Sequence, residues 1–589
     1  MIADGDGEEP PEDAAGGAGG IQIEDIRSDE EDVDEEDDDD EEEGKVAAAD
    51  APAAGSSKSK KKKKNKKKSK SKAVDKLKGM INPGGNVPDE LVDAVKREMQ
   101  QNPATQSAQV DDEEIRRALK AMDLLKVLEG KEALGNKSNT KDIGEHKFWK
   151  TQPVPQTLSE NLHRASRGTV PPASANQEPD GPIDSVKDVA DVRKEPLPLP
   201  KGYEWCTPDI TIDEECKEVQ TLLSENYVED DDASFRLHYS KEFLHWALAP
   251  PEYVADWHLG VRQTSNKKLV AFISGIPLST RVRDHTIKTA EINFLVTHKK
   301  LRSKRLAPVL IKEVTRRVNL KGVWQAVYTA GVVLPTPIGV CRYYHRTLNP
   351  VKLVDIGFTP VRRGDTVSRM VRRFGLPAST STPNFREMCK EDIPQVLDLM
   401  KRYMARFELE QKFDTEEEIE HWFISGRGTG EYVKGQGRKG QVAWAYVVEA
   451  SDPETHRITD FMSFYSLPSL IMKHAKHKDL GTAYLFYYAT DAALSSSSSQ
   501  GGEEKAKERL SKRLNSLVND CLIVAKDAGF DVFNALTMMD NNLFLNEQLF
   551  GPGDGYLVNY LYNWRSAPID GAADGVDVLR TSNIGVVML

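Results

Sequence analysis

Two charged runs near the N-terminus exclude the first 140 residues from any compact fold. Glu24–Glu43 holds 16 acidic residues and one arginine, whereas Lys58–Lys72 holds 11 lysines and no acid. Like charges at this density repel each other, and the surrounding sequence offers too little apolar surface to offset the entropy lost on folding. We therefore expect residues 1–140 to form a disordered tail, with one marginal helix over Glu113–Leu128.

The lysine run has two interpretations. Dense cations bind phosphate-bearing surfaces through counterion release, so ribosomes, other polyanions and anionic membranes are candidate partners for Lys58–Lys72. The alternative is a solvated tail or a patch that resembles a nuclear-localisation signal. Aromatic residues for base stacking are absent from the run, which argues against reading of a nucleic-acid sequence. In either case, we expect the tail to determine where the protein binds in the cell and to take no part in the chemistry.

Several classes of protein are excluded by composition. The sequence contains no stretch near the ~18 apolar residues that a membrane span needs, and its N-terminus lacks the features of a secretory signal. The five cysteines are widely spaced and form no C-x-x-C motif, so neither a zinc ribbon nor a disulfide framework is indicated. We expect a reducing, cytoplasmic environment.

From His146 onward, the pattern is typical of an α/β fold in which a mixed sheet carries helices on its faces. Apolar spacing predicts one helix over Pro308–Val318 and a second over Glu503–Ala528, which ends at Gly529. Residues Ser495–Gly502 read as a low-complexity loop before the second helix. β-rich composition predicts strands at Leu269–Gly275, Glu291–Thr297, Val323–Tyr328, Gln441–Glu449 and Ile458–Phe464.

A faint internal repeat runs through this part of the chain. Ile212–Leu223 resembles Lys390–Met400, and Leu269–Pro277 resembles Thr459–Pro468. Chance similarity is the competing explanation. Two copies of one α/β unit would account for the length of the folded part.

The segment Glu291–Lys312 combines a strand, a basic loop and the start of a helix. Unpaired N–H groups at a helix N-terminus bind phosphate, and the lysines and arginines of residues 299–305 add positive charge. This order can hold a pyrophosphate. The spacing of Arg302, Arg305 and Ala307 matches the R/Q-x-x-G-x-G/A loop of GNAT acyl-CoA N-acyltransferases, with Arg where Gly is usual; a solvated helix start is the alternative.

Longer stretches make the identification more specific, because from residue 146 to 589 the sequence closely resembles the eukaryotic N-myristoyltransferase family. The matching stretches are Phe148–Pro155, Asn226–Asp232, Phe235–Arg236, Glu291–Lys312, Trp324–Gly331, Cys341–Arg346, Phe461–Ser469, Asp531–Leu536, Phe550–Leu557 and Tyr560–Trp564.

The resemblance implies two GNAT-like halves related by a pseudo-two-fold axis. We expect an acyl-CoA-binding half over 141–380 and a peptide-binding half over 381–589. Myristoyl-CoA is the implied co-substrate, with no permanently bound cofactor and no metal, in a monomer. The implied partners are peptides and nascent proteins that begin with glycine.

In such an enzyme, the glycine amine attacks the thioester directly. The resemblance assigns the base to the terminal carboxylate, here that of Leu589, although an ordinary final strand is the simpler reading of the sequence alone. It assigns the oxyanion donors to the N–H groups of Phe294 and Leu295, which could otherwise be core strand residues. It places Asn293 and Thr329 near the amine.

The resemblance also assigns residues to each substrate. The acyl-CoA residues are Lys147, Phe148, Trp149, Leu295, Val296, Thr297, Arg302, Ser303, Lys304, Arg305, Leu306 and Ala307. The peptide residues are Tyr227, Val228, Asp230, Asp232, Phe235, Arg236, Tyr239, Tyr328, Tyr343, His345, Phe358, Tyr465, Ser469, Tyr484, Asp554 and Leu557. Several have ordinary alternatives, since Phe148 and Trp149 could be core aromatics, Glu229–Asp232 a solvated loop and His345 a satisfied core histidine.

Departures from the family pattern affect fine specificity. Val296-Thr297, Leu549 and Lys147 replace the usual family residues, and Ser495–Glu508 looks like an insertion. Two competing functions remain at this point. One is an N-acyltransferase with another acyl chain or amine, and the other is a scaffold that binds acyl-CoA without turnover.

Overall fold

The computed structural model describes residues 147–155, 180–185, 187–228, 234–331, 334–361, 364–451, 456–494, 502–573 and 581–589. Apart from Ser303–Arg305, the described residues lie in one compact unit. The predicted tail, its helix over Glu113–Leu128 and most of the predicted loop over Ser495–Gly502 fall outside the described residues.

Strands dominate the described fold. The strands before residue 380 are β1 (Tyr203–Cys206), β2 (Phe235–Leu237), β3 (Leu259–Gln263), β4 (Leu269–Val282), β5 (His285–Thr297), β6 (Gln325–Ala330) and β7 (Gly339–Thr347). Those after it are β8 (Phe385–Glu387), β9 (Leu409–Gln411), β10 (Thr429–Val433), β11 (Gly437–Lys439), β12 (Ala443–Glu449), β13 (Ile458–Ser466), β14 (Ser469–Ile471), β15 (Asp479–Leu480), β16 (Thr482–Thr490), β17 (Val532–Leu536), β18 (Gly551–Tyr562) and β19 (Ile584–Gly585).

Most of these strands form one mixed sheet in the order β1-β3-β4-β5-β6-β18-β7-β17-β16-β13-β12-β8, with β9 and β19 attached at β4. From β3 inward, the pairings are antiparallel, antiparallel, parallel and antiparallel, ending at β18. From β12 inward, the pairs β12–β13, β13–β16, β16–β17 and β17–β7 repeat the same order of antiparallel, antiparallel, parallel and antiparallel. The two series meet where β18 pairs with β7. This symmetry is the pseudo-two-fold arrangement that the resemblance implied.

Helices follow the same symmetry. They are α1 (Asp213–Asn226), α2 (Lys241–Leu248), α3 (Leu306–Asn319), α4 (Pro350–Asp355), α5 (Val367–Arg373), α6 (Ile393–Met404), α7 (Glu416–Phe423) and α8 (Gly502–Asp527). Helix α3 joins β5 to β6, and α8 joins β16 to β17, so each links a parallel pair. None of the described helices is long and apolar enough to cross a membrane.

The predicted elements are present, with shifted ends. The helix predicted over Pro308–Val318 is α3, and the one predicted over Glu503–Ala528 is α8. The internal repeat is also confirmed, because its first pair of segments maps to α1 and α6 and its second pair to β4 and β13. These elements occupy equivalent places in the two series.

Candidate active site

The site begins at a bulge in β5. Asn293 pairs with Ser274 on β4 and Val296 pairs with Phe272, so Phe294 and Leu295 together oppose Ile273. Phe294 has a φ of 53°, a left-handed conformation that is rare for a bulky residue. Such a bulge interrupts the ladder and turns backbone N–H groups away from their usual partners.

Asn293 connects this bulge to the end of the chain. Its Nδ2 donates to the main-chain oxygen of Leu589 at 2.5 Å. Its Oδ1 accepts the N–H of Phe294 at 2.8 Å. Asn293, which was predicted to lie near the amine, therefore hydrogen-bonds both to Leu589, the predicted base, and to Phe294, a predicted oxyanion donor.

Buried contacts hold the C-terminal segment in place. β19 pairs in parallel with β9, which itself pairs with β4. The N–H of Val587 then donates to the hydroxyl of Tyr487 at 2.9 Å. Val586 is fully buried, and Leu589 is partly buried against the core. An apolar segment thus carries Leu589 into the molecule.

A cavity of about 400 Å³ opens beside Asn293 and Thr329. Its walls come from β5, from the inner face of α3, from β6 and from Trp149, and they are mostly apolar. The lining includes Ile292, Phe294, Leu295, Ile311, Val314, Val318, Trp324, Ala326, Tyr328 and Leu334. The dimensions and the mostly apolar lining suit a long apolar ligand.

Stacked aromatic rings close one wall of this cavity. Trp149 stacks on Tyr328 with ring centroids 5.7 Å apart, and Tyr328 stacks on Tyr560 at 4.9 Å. Trp149 is 9% exposed. Its neighbour Phe148 meets it edge-on. Trp149 is therefore both a core aromatic and a cavity wall, so the two interpretations drawn from the sequence coincide.

A second aromatic group packs around Phe294. The ring of Tyr239 is 5.4 Å from Phe294 and 5.9 Å from Tyr227. Tyr465 stacks on Tyr484 at 5.3 Å, and both lie close enough to Tyr239 to interact electrostatically with it. Burial raises the pKa of Tyr484 to about 12, so its phenol stays protonated at neutral pH.

Further along, Phe358 contacts two more predicted peptide residues. It meets Phe235 edge-on at 5.8 Å and His345 at 5.7 Å. His345 Nδ1 donates to Asn534 Oδ1 at 2.7 Å. Burial lowers the pKa of His345, which makes the neutral ring the dominant form at pH 7. Its Nε2 then remains an acceptor.

The remaining predicted residues are distributed as follows. Arg236 and Ser469 lie in the small sheet formed by β2, β14 and β15. Tyr343 neighbours Tyr239, Leu557 lies on β18 opposite Cys341, and Asp554 lies near His345. Tyr328, predicted for the peptide, lines the cavity beside Asn293. Val228 also lines the cavity, whereas Asp230 and Asp232 lie outside the described residues.

The basic segment forms a short 3-10 helix, Lys299–Lys304, just before α3. It contains Arg302, Ser303 and Lys304. Arg302 donates to the main-chain oxygen of Asn226 at 2.7 Å, so part of its guanidinium is already used. Arg305 adopts a φ of 53°, and Leu306 and Ala307 form the first turn of α3. Val296 and Thr297 end β5, and Lys147 is exposed.

Sequence reasoning missed three parts of the site. Glu291 is a buried acid two residues before Asn293, and Tyr487 anchors the C-terminal segment. The face of α3 that lines the cavity was read only as a core face. An acid inside an otherwise apolar strand was the available signal for Glu291.

One histidine cluster outside the site resembles a metal ligand set. Among the described residues, Asp355, His474 and His477 bring three ligand atoms within 4.8 Å of one another. His474 Nδ1, however, accepts the backbone N–H groups of Lys476 and His477 at 3.3 and 3.1 Å. The ring proton of neutral His474 is therefore on Nε2, which leaves no lone pair facing Asp355. Hydrogen bonds explain this grouping, and we assign no metal to it.

Comparisons with known proteins agree with this geometry. Residues 182–341 match the family described as "Myristoyl-CoA:protein N-myristoyltransferase, N-terminal domain", and residues 355–587 match its C-terminal domain. The glycylpeptide N-tetradecanoyltransferase of Emericella nidulans is 47% identical over 86% of this chain and 96% of its own length. The Saccharomyces cerevisiae enzyme is 48% identical over 76% of this chain and 93% of its own. A crystal structure of Saccharomyces cerevisiae N-myristoyltransferase with bound myristoyl-CoA aligns with a TM-score of 0.68 at 48% identity, covering 76% of this chain and all of that chain.

Proposed function

Since the chain belongs to the myristoyl-CoA:protein N-myristoyltransferase family, we propose that it moves a myristoyl group from myristoyl-CoA to the amine of an N-terminal glycine, with the Leu589 carboxylate as base. One observation carries this proposal. The amide of Asn293 hydrogen-bonds to the oxygen of Leu589 and to the bulge at Phe294, and both Asn293 and Phe294 line the acyl-sized cavity.

The cavity contributes affinity for myristoyl-CoA and aligns its thioester with the site. Burying the methylene groups of a tetradecanoyl chain contributes a gross ~10 kcal/mol at ~0.8 kcal/mol per group. Because Asn293 and Thr329 line the same cavity, the thioester at the end of the chain lies beside them. The basic segment Lys299–Lys304 and the first turn of α3 are our proposed partners for the phosphates of coenzyme A.

The amine reaches the thioester without an enzyme nucleophile. A glycine ammonium has a pKa near 8, so it must lose a proton before attack. The Leu589 carboxylate takes that proton, and the amine nitrogen bonds to the carbonyl carbon. The carbon–sulfur bond then breaks while the nitrogen loses its second proton, so the products are the amide and the thiol form of coenzyme A. Asn293 holds the carboxylate in position for this step.

Charge on the thioester oxygen needs donors in the transition state. The N–H groups of Phe294 and Leu295 are the proposed oxyanion donors. Because the Phe294 N–H donates to Asn293 Oδ1, the thioester oxygen must share this donor or Asn293 must turn slightly. The strained φ of Phe294 fixes this geometry before the substrate binds.

The peptide lies against the aromatic groups formed by Tyr227, Tyr239 and Phe294 and by Phe235, Phe358 and His345. Asp230 and Asp232 are proposed contacts of substrate lysines. The tail run Lys58–Lys72 is proposed to contact ribosomes or another polyanion and to act apart from the chemistry. We also propose that the enzyme acts as a monomer in the cytoplasm.

A single assay tests this function. The purified chain is incubated with myristoyl-CoA and a peptide that begins with glycine and contains lysine, and the acyl-peptide is followed by mass. Matched reactions use an N-acetylated peptide and acetyl-CoA. Transfer only to the free glycine and only from the long donor is expected. Equal transfer from acetyl-CoA would favour a different N-acyltransferase, and binding without transfer would favour a scaffold.

A further inference from the structure

A positively charged turn lies beside the proposed peptide residues. It joins β14 to β15 and comprises residues 472–478, which we call the basic turn. Its lysines are Lys473, Lys476 and Lys478, and all three are exposed. Lys476 and Lys478 form no ion pair with any residue that the structure describes. A chain with a net charge of −13 therefore presents two cations without a carboxylate partner at this point.

Hydrogen bonds hold the basic turn in one shape. The N–H of Ile471 donates to the main-chain oxygen of Lys478 at 2.8 Å, which closes the turn at its base. Inside the turn, His474 Nδ1 accepts the N–H groups of Lys476 and His477. The rings of His474 and His477 stack with their centroids 5.1 Å apart. Because an ordered turn loses little conformational entropy on binding, its two unpaired lysines are preorganised for an anionic partner.

One flank of the basic turn adjoins β2, which carries the proposed peptide residues Phe235 and Arg236. Ile471, the last residue of β14, pairs with Phe235. The N–H of Met472, the first residue of the turn, donates to the main-chain oxygen of Ser234 at 2.9 Å. The turn therefore begins directly beside a strand that is proposed to contact the peptide.

The other flank adjoins α4. His477 Nε2 lies 3.1 Å from Oδ2 of Asp355, the last residue of that helix. Shortly after the helix, the ring of Phe358 contacts the rings of Phe235 and His345. A peptide that passes over these three rings therefore leaves the groove next to the basic turn.

Charges around the basic turn determine which side chains it can bind. The described acids beside it are Asp355, which is engaged by His477, and Asp479 at the start of β15. Helix α5, which packs against α4, adds Arg369 and Arg372, and neither forms an ion pair with a described residue. Positive charge is thus in excess among these residues, so this surface attracts carboxylates and repels lysines.

We propose that the basic turn binds acidic side chains of the substrate through Lys476 and Lys478, at positions farther from the glycine than those that contact Phe235 and Phe358. This inference deepens the proposed function and rests on it. It defines a substrate class of chains that begin with glycine and carry aspartate or glutamate downstream of the proposed lysine position. Contacts between exposed charges are individually weak, so the turn ranks substrates by affinity and leaves the chemical step unchanged.

The test uses glycine peptides in which a pair of glutamates is moved step by step away from the glycine. Matched peptides carry a pair of glutamines or a pair of lysines at the same positions, and steady-state acylation at saturating myristoyl-CoA gives kcat and KM for each. At the positions that reach the basic turn, glutamate should lower KM about fivefold relative to glutamine, and lysine should raise it, with kcat unchanged. High salt should reduce these differences, because it screens exposed charges.

Charge reversal of the turn provides the decisive variant. Lys476→Glu combined with Lys478→Glu should reverse the order of preference, so that KM rises for the glutamate peptide and falls for the lysine peptide. Lys476→Gln combined with Lys478→Gln should make the three KM values similar, and it decides the matter if the reversed variant does not fold. Lys288→Glu combined with Lys439→Glu changes two exposed lysines on β5 and β11. This control alters the net charge equally and should keep the native order.

The outcomes separate this inference from its premise. Equal KM values for the three peptides in the native protein, with normal transfer to each, would overturn the inference and leave the proposed function intact. An unchanged order of preference in the reversed variant would do the same. If charge reversal weakened binding to vesicles of anionic lipid but left every peptide KM unchanged, the turn would bind a lipid surface and the inference would be wrong. Absence of transfer to every glycine peptide would overturn the proposed function and, with it, this inference.

Discussion

At the scale of single residues, Asn293 connects groups that are far apart in the sequence. Its bond to Leu589 spans 296 positions, and its bond to Phe294 spans one. A polar residue at this point of a strand lowers the β propensity of the strand but orients the two groups to which it hydrogen-bonds. The site therefore depends on the orientation of one amide.

Removing Leu589 should lower the single-turnover rate by ~100-fold or more, because a positioned base contributes ~10²–10⁴-fold to such a step. Binding of myristoyl-CoA should persist, since the cavity walls lie elsewhere. Leu589→Met, which keeps both an apolar side chain and the terminal carboxylate, is the matched control and should stay close to native. Equal rates for the deletion and the control would remove Leu589 from the mechanism.

Buried histidines give the fold a predictable response to acid. Burial lowers the pKa of His258 and of His421 to about 4, from the 6.5 expected in the unfolded chain. Since the unfolded state binds more protons between these values, stability should fall as the pH drops from about 6.5 towards 4, by up to ~3 kcal/mol for each histidine. His421→Gln, whose amide can still donate to the main-chain oxygen of Trp246, should reduce this dependence in thermal unfolding. An unchanged slope would contradict the assignment.

At the scale of elements, strand β18 approaches the peptide side through glycines. A Cβ on Gly553 would lie 2.3 Å from His345 Nε2, and the bond to Asn534 restrains that ring. A Cβ on Gly551 would touch only the His345 oxygen, at 4.0 Å. The first glycine is needed for close approach, whereas the second leaves room.

Gly553→Ala should therefore raise the KM for the peptide by about tenfold, a loss of ~1.4 kcal/mol in binding, while the rate at saturation changes less. Gly551→Ala on the same strand should behave as the native chain. Steady-state kinetics with a glycine peptide distinguish the two variants. The same KM in both would mean that His345 does not contact the peptide.

The elements also show how far the sequence predicts this protein. Apolar spacing was sufficient for α3 and α8, because each buries one regular face, whereas β-rich composition was sufficient for β4, whose first eight residues are all buried. The bulge at Phe294 and the contact between Asn293 and Leu589 leave no local pattern and were not predicted. Resemblance to relatives suggested only the roles of these residues. The role of α3 as a cavity wall escaped prediction, because a side chain facing a ligand and one facing a core have the same spacing.

At the scale of the whole molecule, the two halves share a single sheet instead of packing as separate bodies. β18 from the second half lies between β6 and β7 from the first, and β7 pairs with β17. The boundary predicted at residue 380 remains a prediction about the chain and does not divide the sheet. The site draws Asn293 from one half and Leu589 from the other.

The tail prediction also belongs at this scale. Deleting residues 1–140 should leave glycine-peptide acylation unchanged, because the described site uses no residue from this region. Binding to a polyanion such as heparin should weaken, and the steep salt dependence given by the lysine run should be lost. A variant with the eleven lysines of Lys58–Lys72 changed to glutamine is the matched control. If the truncated protein folds but no longer acylates the peptide, the tail takes part in the reaction and this prediction is wrong.

The pairing of β18 with β6 and β7, and of β7 with β17, joins strands of the two halves and has an evolutionary consequence. A fragment that ends after β7 would leave β6 with one unpaired edge and β7 with two. The complementary fragment would carry β17 without β7 and β18 without either of its neighbours. Such edges promote aggregation. A duplicated gene that adopted this arrangement could no longer lose, replace or recombine one copy independently. Shuffling of halves between relatives should be rare, and reassembly of the enzyme from two separately expressed fragments should require their simultaneous synthesis.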